Sequence, residues 1–194
     1  MKNLFLDVET TGLPFKGAKW DKDFDEFPRI VSAAWYDDVD HYYIINQEGG
    51  KIPQSAIDVH GLTNDICDQA LTKHFDLLPW LITAAENADR IIGYNTYFDT
   101  SVIKANVLRV FGEGSEEIKR AIAALDKSKR IDMIRGTLKA FKSGFMPMDE
   151  MYEMLFDEQH PQPHHALGDV HALKRIYEHC VANGYLIRNG ERVC

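Results

Sequence analysis

Asp7 and Glu9 close an apolar run, Leu4-Phe5-Leu6, that otherwise reads as a buried strand. Side chains two apart on a strand share a face, so these carboxylates would lie about 6–7 Å from each other. Burying two like charges side by side is costly unless something neutralises them. A shared pair of hard divalent cations is the simplest neutraliser, and Thr10-Thr11-Gly12 supplies a turn directly after the pair. A chain that begins this way must fold so that other groups complete the ligand set.

With 194 residues, 45% of them hydrophobic and 27% charged, the chain reads as one soluble domain able to bury a full core. No apolar run approaches a membrane span, and Met1-Lys2-Asn3 leads into a strand and not into a signal peptide. Cys67, Cys180 and Cys194 fit neither a disulfide framework nor a zinc spacing, so a reducing cytoplasm is expected. The net charge of −8 argues against a polyanionic partner until its distribution is considered. Residues 21–40 hold seven acidic and two basic side chains, whereas residues 119–142 hold eight basic and two acidic ones. The second window (Lys119, Arg120, Lys127, Lys129, Arg130, Arg135, Lys139, Lys142) is either a solvated helical face or a phosphate-facing surface.

Patterning predicts strands over 3–8, 29–36 and 41–46, then helices over about 63–71 and 74–89, with Pro79 blurring the start of the second. A short strand, Arg90 to Tyr94, leads into a helix over about 99–111, and a charged helix follows at about 115–126. Residues 131–141 are helix or strand-then-helix, and Met148–Phe156 is a short helix. The last helix is the clearest: Val170, Leu173, Ile176, Tyr177, Cys180 and Val181 recur at helical spacing before Asn183-Gly184. The pattern is α/β, with residues 1–184 as one domain and 185–194, around Asn189-Gly190, as a small hairpin or a tail.

Two further acids stand where structure changes type. Asp99 follows the short strand, and Asp169 opens the last helix; each reads as a helix cap or as a site residue. His164 stands five residues before Asp169, near Pro161 and Pro163, on a loop that would fold against the helix start. A neutral imidazole there could take a proton from water.

Asp7-x-Glu9, Asn95-x-x-Phe98-Asp99 and His164-x-x-x-x-Asp169, in that order, resemble the three-block signature of the DEDDh 3′–5′ exonucleases. Pro28-Arg29-Ile30-Val31, Val59-His60-Gly61-Leu62-Thr63 and Ile131-Asp132 extend the resemblance over residues 3 to about 180. The resemblance implies an RNase H-like fold, a five-stranded mixed sheet flanked by helices, with residues 1–184 as the exonuclease domain. It implies two Mg²⁺ or Mn²⁺ ions on Asp7, Glu9, Asp99 and Asp169, with His164 as general base. It further implies that Thr10, Thr11 and Leu13 hold or wedge the terminal nucleotide and that His60 touches it. Phe98 and Tyr97 would stack on bases or fill the core, with core packing favoured for Phe98, and Asn95 would fix a turn or support the site. The implied substrates are single-stranded 3′ ends, of DNA more than RNA, with nucleoside 5′-monophosphates released. A polymerase or other replication or repair partner is left open, as are an RNA-directed exoribonuclease and a non-catalytic nucleic-acid-binding or polymerase-docking module.

The chain departs from the family pattern in two places. Tyr94 precedes Asn95 where many members carry His, and the third block has adjacent histidines, His164 and His165. The five-residue offset selects His164 and leaves His165 as a surface or supporting residue. His160, His164 and His165 together would suggest zinc, but four ordered carboxylates favour hard, oxygen-preferring cations.

Overall fold

The structure, a computed structural model, describes residues 1–141, 145–188 and 191–193. A six-stranded mixed sheet runs through its centre. Its strands are β1 (Asn3–Thr10), β2 (Ile30–Tyr36), β3 (Asp40–Asn46), β4 (Thr72–Lys73), β5 (Arg90–Gly93) and β6 (Arg130–Asp132), in the spatial order β4-β3-β2-β1-β5-β6. β1 pairs antiparallel with β2 and parallel with β5, and β6 is parallel to β5. The five expected strands are β1, β2, β3, β5 and β6. The sixth, β4, is a two-residue edge beside β3, too short to leave a sequence pattern.

The helices are α1 (Gln54–His60), α2 (Asn64–Asp68), α3 (His74–Asn87), α4 (Thr96–Phe111), α5 (Glu116–Ala124), α6 (Met133–Phe141), α7 (Met148–Phe156) and α8 (Ala166–Ala182). Several boundaries correct the sequence expectation. α1 was not expected: its seven residues hold too few apolar positions to show a period, and Gly61 closes it in the left-handed region. α2 is half the expected 63–71. α3 begins at His74 and carries Pro79 within it. α4 starts at Thr96, three residues before the expected position, and the ambiguous 131–141 segment is strand then helix. Ile187↔Arg192 and Arg188↔Glu191 pair as a small hairpin, β7 (Ile187–Arg188) with β8 (Glu191–Arg192). Its expected turn, Asn189-Gly190, lies outside the described residues, as does Cys194.

The sheet is covered on both faces, which is why β1 and β2 read as near-continuous apolar runs. Leu4, Leu6 and Val8 face one core with Leu77, Ile82, Val102 and Ile103 of α3 and α4. Phe5 faces the other core, with Met151 of α7 and Val170, Leu173 and Ile176 of α8. Strand alternation therefore places Asp7 and Glu9, which share parity with Phe5, on the α8 side.

The acidic segment 14–28 lies against α4. Asn106 donates to the Pro28 carbonyl at 3.0 Å, Arg109 donates to the carbonyls of Phe24 and Phe27, and the Lys104 ammonium sits 4.7 Å over the Trp20 ring. Within 112–130, α5 packs its buried Ile118, Ala121 and Ala124 into the α3–α4 core.

Candidate active site

The four acids meet at the C-terminal end of β1. Asp7, Glu9 and Asp169 each offer a ligand atom within 4.8 Å of one another. Asp7 pairs with Ala34 and Glu9 with Ser32 on β2, which fixes their shared face. On the other side, β5 runs only to Gly93 before the chain turns into α4, so the first turn of α4 lies beside Asp7. A side chain at Gly93 would meet Thr96 Cγ2 at 2.8 Å, so glycine is what lets strand and helix approach there. Asp99, buried in that first turn, takes a hydrogen bond from the Val8 backbone. Asp169 reaches the cluster because α8 lies across the Phe5 face of the sheet.

Neither Asp99 nor Asp169 is a helix cap. Asn95 and His165 hold the cap positions, and each acid lies one turn further in, buried. Among the described residues no Lys or Arg lies within ion-pair distance of the four acids, and the one cationic candidate is His160. Burial pushes Asp7 up to about 7. Burial, then the charges of Asp7 and Asp99, push Glu9 to about 8. Burial, then Asp7 and Glu9, push Asp169 to about 9. Burial raises Asp99 too, with Asp7 adding to it. Each acid resists ionisation because water is gone and its neighbours carry the same charge.

Such a cluster fits hard divalent cations by its donor chemistry: carboxylate oxygens on adjoining elements, gathered within ligand reach and, among the described residues, without a Lys or Arg partner. Asp169 Oδ1 is buried without a hydrogen bond, and His160 Nε2 stands 3.2 Å from it.

His164 lies on the loop entering α8, exposed, with φ 59°. The left-handed region is unfavourable for a residue with a Cβ and is retained where surroundings enforce it. It lines a cavity of about 240 Å³ with Asp7, Asp99, Asp169, Asn95 and Phe98. Gly168 permits this arrangement, since a Cβ there would stand 2.6 Å from Gln162 Cβ and force the loop off the helix. His165, its neighbour, turns the other way: Nδ1 accepts from the Gly168 N–H at 3.3 Å, and the ring packs 4.7 Å from Tyr42.

The expected nucleotide contacts divide. Thr10, Leu13, His60 and Phe98 come together with Glu9 around a second cavity, of about 500 Å³. Phe98 stands between the two cavities while also packing on the core, and Tyr97 is exposed. Thr11 is not brought there. It lies past the end of β1, its hydroxyl accepts from the Arg29 N–H at 3.0 Å, and it lines a different cavity. Tyr94, in place of the family's His, donates its hydroxyl to the Met146 carbonyl at 2.6 Å and closes one wall of the first cavity.

Sequence reasoning missed His160 as a site residue. Its side chain is buried, Nδ1 accepts from the Gln162 N–H at 3.2 Å, and Nε2 therefore carries the proton of the neutral ring toward Asp169 Oδ1, 3.2 Å away but out of line. In sequence it reads only as a zinc ligand with His164 and His165, and Pro161 beside it marks a fixed turn.

The exonuclease family model, RNase T, matches residues 4–177. No curated protein matches the chain. Among solved structures, E. coli Exonuclease I in complex with a dT13 oligonucleotide superposes at TM-score 0.70 with 15% identity, over 92% of this chain and 40% of that one. The nuclease domain of 3′hExo, a DEDDh family member, bound to rAMP, superposes at TM-score 0.69 with 13% identity, over 98% of this chain and 96% of that one. The chain thus spans about two-fifths of Exonuclease I and nearly all of the 3′hExo nuclease domain. At these identities the superpositions speak for the RNase H-like fold, and the match over 4–177 speaks for descent: the chain belongs to the RNase T exonuclease family.

Proposed function

We propose that the protein hydrolyses single-stranded nucleic acid from its 3′ end, releasing nucleoside 5′-monophosphates. The observation that carries this reading is the convergence of Asp7, Glu9 and Asp169 within 4.8 Å, with Asp99 buried alongside and no Lys or Arg within ion-pair distance among the described residues. Asp7, Glu9, Asp99 and Asp169 would hold two Mg²⁺ or Mn²⁺ ions, which supply Lewis-acid stabilisation of an in-line displacement at phosphorus. His164, exposed at the mouth of the same cavity, accepts a proton from the attacking water. The water oxygen bonds to phosphorus, the P–O3′ bond breaks, and the departing 3′ oxygen is reprotonated from solvent. His160 keeps Asp169 oriented. Thr10, Leu13 and His60 receive the terminal nucleoside, with Phe98 against its base.

Both a DNA and an RNA strand fit this scheme. Exonuclease I is solved with dT13 and the 3′hExo domain with rAMP, and DNA is the preferred reading for this chain. Among the described residues no helix is long and apolar enough to cross a membrane. The test is incubation of 5′-labelled single-stranded DNA, duplex DNA and RNA with Mg²⁺ or Mn²⁺. A ladder shortening from the 3′ end, fastest on single-stranded DNA, is expected. Intact substrate in every arm would overturn the proposal and favour a non-catalytic binding module.

A further inference from the structure

The basic window at 119–142 is divided by the fold. Lys119 pairs with Glu116 at 2.6 Å, and Arg120 grips both oxygens of Glu86 at 2.8 and 2.7 Å. Lys129 donates to the carbonyls of Ala85 and Glu86. Lys119 is thus paired within α5, and Arg120 and Lys129 are committed to α3. Lys142 lies outside the described residues. Lys127, Arg130 and Arg135 behave differently. They line one open cavity of about 650 Å³ at the free edge of β6, joined by Arg188 from the C-terminal hairpin. Among the described residues, none of these four cations has a carboxylate within ion-pair distance; Arg130 donates to Thr100 Oγ1 and Arg188 to the Ser128 carbonyl. Asp132, the acid on the cavity wall, is already used: it accepts from the Arg135 backbone N–H and from Thr96 Oγ1. Four cations gathered around one hollow repel one another, and Asp126 and Asp132, the two carboxylates whose charge reaches Arg130, are fewer than the cations, so an anion is favoured there.

The position of the hollow says which anion. β6 runs parallel to β5, with Asp132 level with Gly93, so the cavity follows the β6 edge from Lys127 before the strand to Arg135 after it, and its Asp132–Arg135 end lies at the end of the sheet that holds the acids. β6 is two strands from β1, so at about 4.8 Å per strand the groove begins roughly 10 Å from the acid cluster. Asp132 bonds Thr96, and Thr96 touches Gly93 beside Asp99, so the two regions share a wall. The Thr10–Leu13–His60 cavity lies on the opposite flank, where α1 packs on β2 and β3. A strand whose last nucleoside fills that cavity and whose scissile phosphate lies on the acids leaves toward β6.

We infer that Lys127, Arg130, Arg135 and Arg188 form a phosphate track for the substrate strand upstream of the scissile bond, a reading that rests on the nuclease proposal above. The track offers charge without base-reading groups, so it binds the backbone whatever the sequence. It also reconciles a net charge of −8 with a polyanionic substrate, because attraction is local.

The experiment measures binding and turnover separately. Affinity for a fluorescein-labelled single strand is read by anisotropy in EDTA across a salt series, and cleavage of the same strand and of a dinucleotide is read in Mg²⁺. The K127Q/R135Q double variant changes two exposed side chains, and R188Q is a second, independent probe; circular dichroism checks the fold of each. The double variant should weaken binding about tenfold and flatten the log–log salt slope by about 0.7 for each phosphate that is no longer neutralised. The preference of kcat/KM for the long strand over the dinucleotide should shrink with it. Unchanged affinity and salt slope in both variants, with cleavage intact, overturns the track and leaves the nuclease reading standing. Absence of cleavage by the unmodified protein, with strand binding still weakened in the variants, overturns the nuclease reading alone.

Discussion

Two sets of acids in this protein live under opposite rules. Glu86 and Glu158 sit on the surface and pair with Arg120 and Arg175, whose guanidinium groups hold both carboxyls below their usual range. Asp7, Glu9, Asp99 and Asp169 sit inside, without a basic partner among the described lysines and arginines, and burial drives all four upward. The first set stabilises the chain slightly and could be exchanged for other polar residues. The second destabilises the metal-free fold at neutral pH, and a sequence chosen only for stability would not retain it. A local cost of this kind, concentrated at one end of the sheet, marks where the chain does its work.

The sharpest way to break that contrast is Asp7→Asn. Cleavage of a labelled strand in Mg²⁺ should fall on the order of a thousandfold or more, as when a transition-state charge partner is removed. The thermal midpoint of the metal-free protein should rise, because a buried charge is gone. Loss of activity accompanied by a large loss of stability would place Asp7 among structural residues instead.

Next in size is the contrast between adjacent histidines. His164→Ala should lower kcat about a hundredfold or more while leaving the Mg²⁺ requirement near its original concentration. His165→Ala should cost about 1 kcal/mol of stability through loss of the helix cap, with a much smaller fall in kcat. Equal losses of kcat in steady-state assays would erase the distinction; a silent His164→Ala would reverse it.

A smaller effect should appear in pH-dependent melting. The folded-state values of about 7, 8 and 9 for Asp7, Glu9 and Asp169 exceed the ordinary 3.8–4.5. The metal-free folded chain therefore binds more protons than the unfolded chain between about pH 4 and pH 9, and stability falls as pH rises through that window. Melting by calorimetry should show the midpoint falling as pH rises across it. Added Mg²⁺ should restore more at pH 8 than at pH 5. A flat metal-free profile would mean the four acids are neutralised by something within the chain.

The smallest effect belongs to the surface set. Glu86→Gln should cost under about 1 kcal/mol in denaturant unfolding, because an exposed pair is screened and gains little. A larger loss would make the Glu86–Arg120 pair part of the α3–α5 core packing and blur the division between the two sets.

Much of the site was legible because its residues sit at changes of periodicity. Asp7 and Glu9 interrupt a period of two, and Asp169 opens a clear period of 3.6. What stayed hidden was what depends on neighbours remote in the chain. Whether Asp99 and Asp169 cap their helices or lie a turn inside them follows from where each helix begins, and the starts at Thr96 and Ala166, three residues before each acid, decided it. α1 and β4 are held by the elements they pack on, and neither is long enough to imprint a pattern. Thr11 is read as part of the turn after the acid pair and as a nucleotide contact, but its side chain is committed to Arg29, a partner remote in the chain.

The sequence by itself determined that two carboxylates would share one face of a central strand, that an imidazole would precede a third acid by a fixed offset, and that apolar alternation would demand cover on both faces. The tertiary structure decided the rest. It brought Asp99 and Asp169 to Asp7, buried His160 against Asp169 and joined Arg188 to Lys127, Arg130 and Arg135. The reason is that spacing along a chain fixes direction only within an element, through a backbone period. Convergence between elements is set by which apolar faces must meet to leave water, and that is a property of the packed whole.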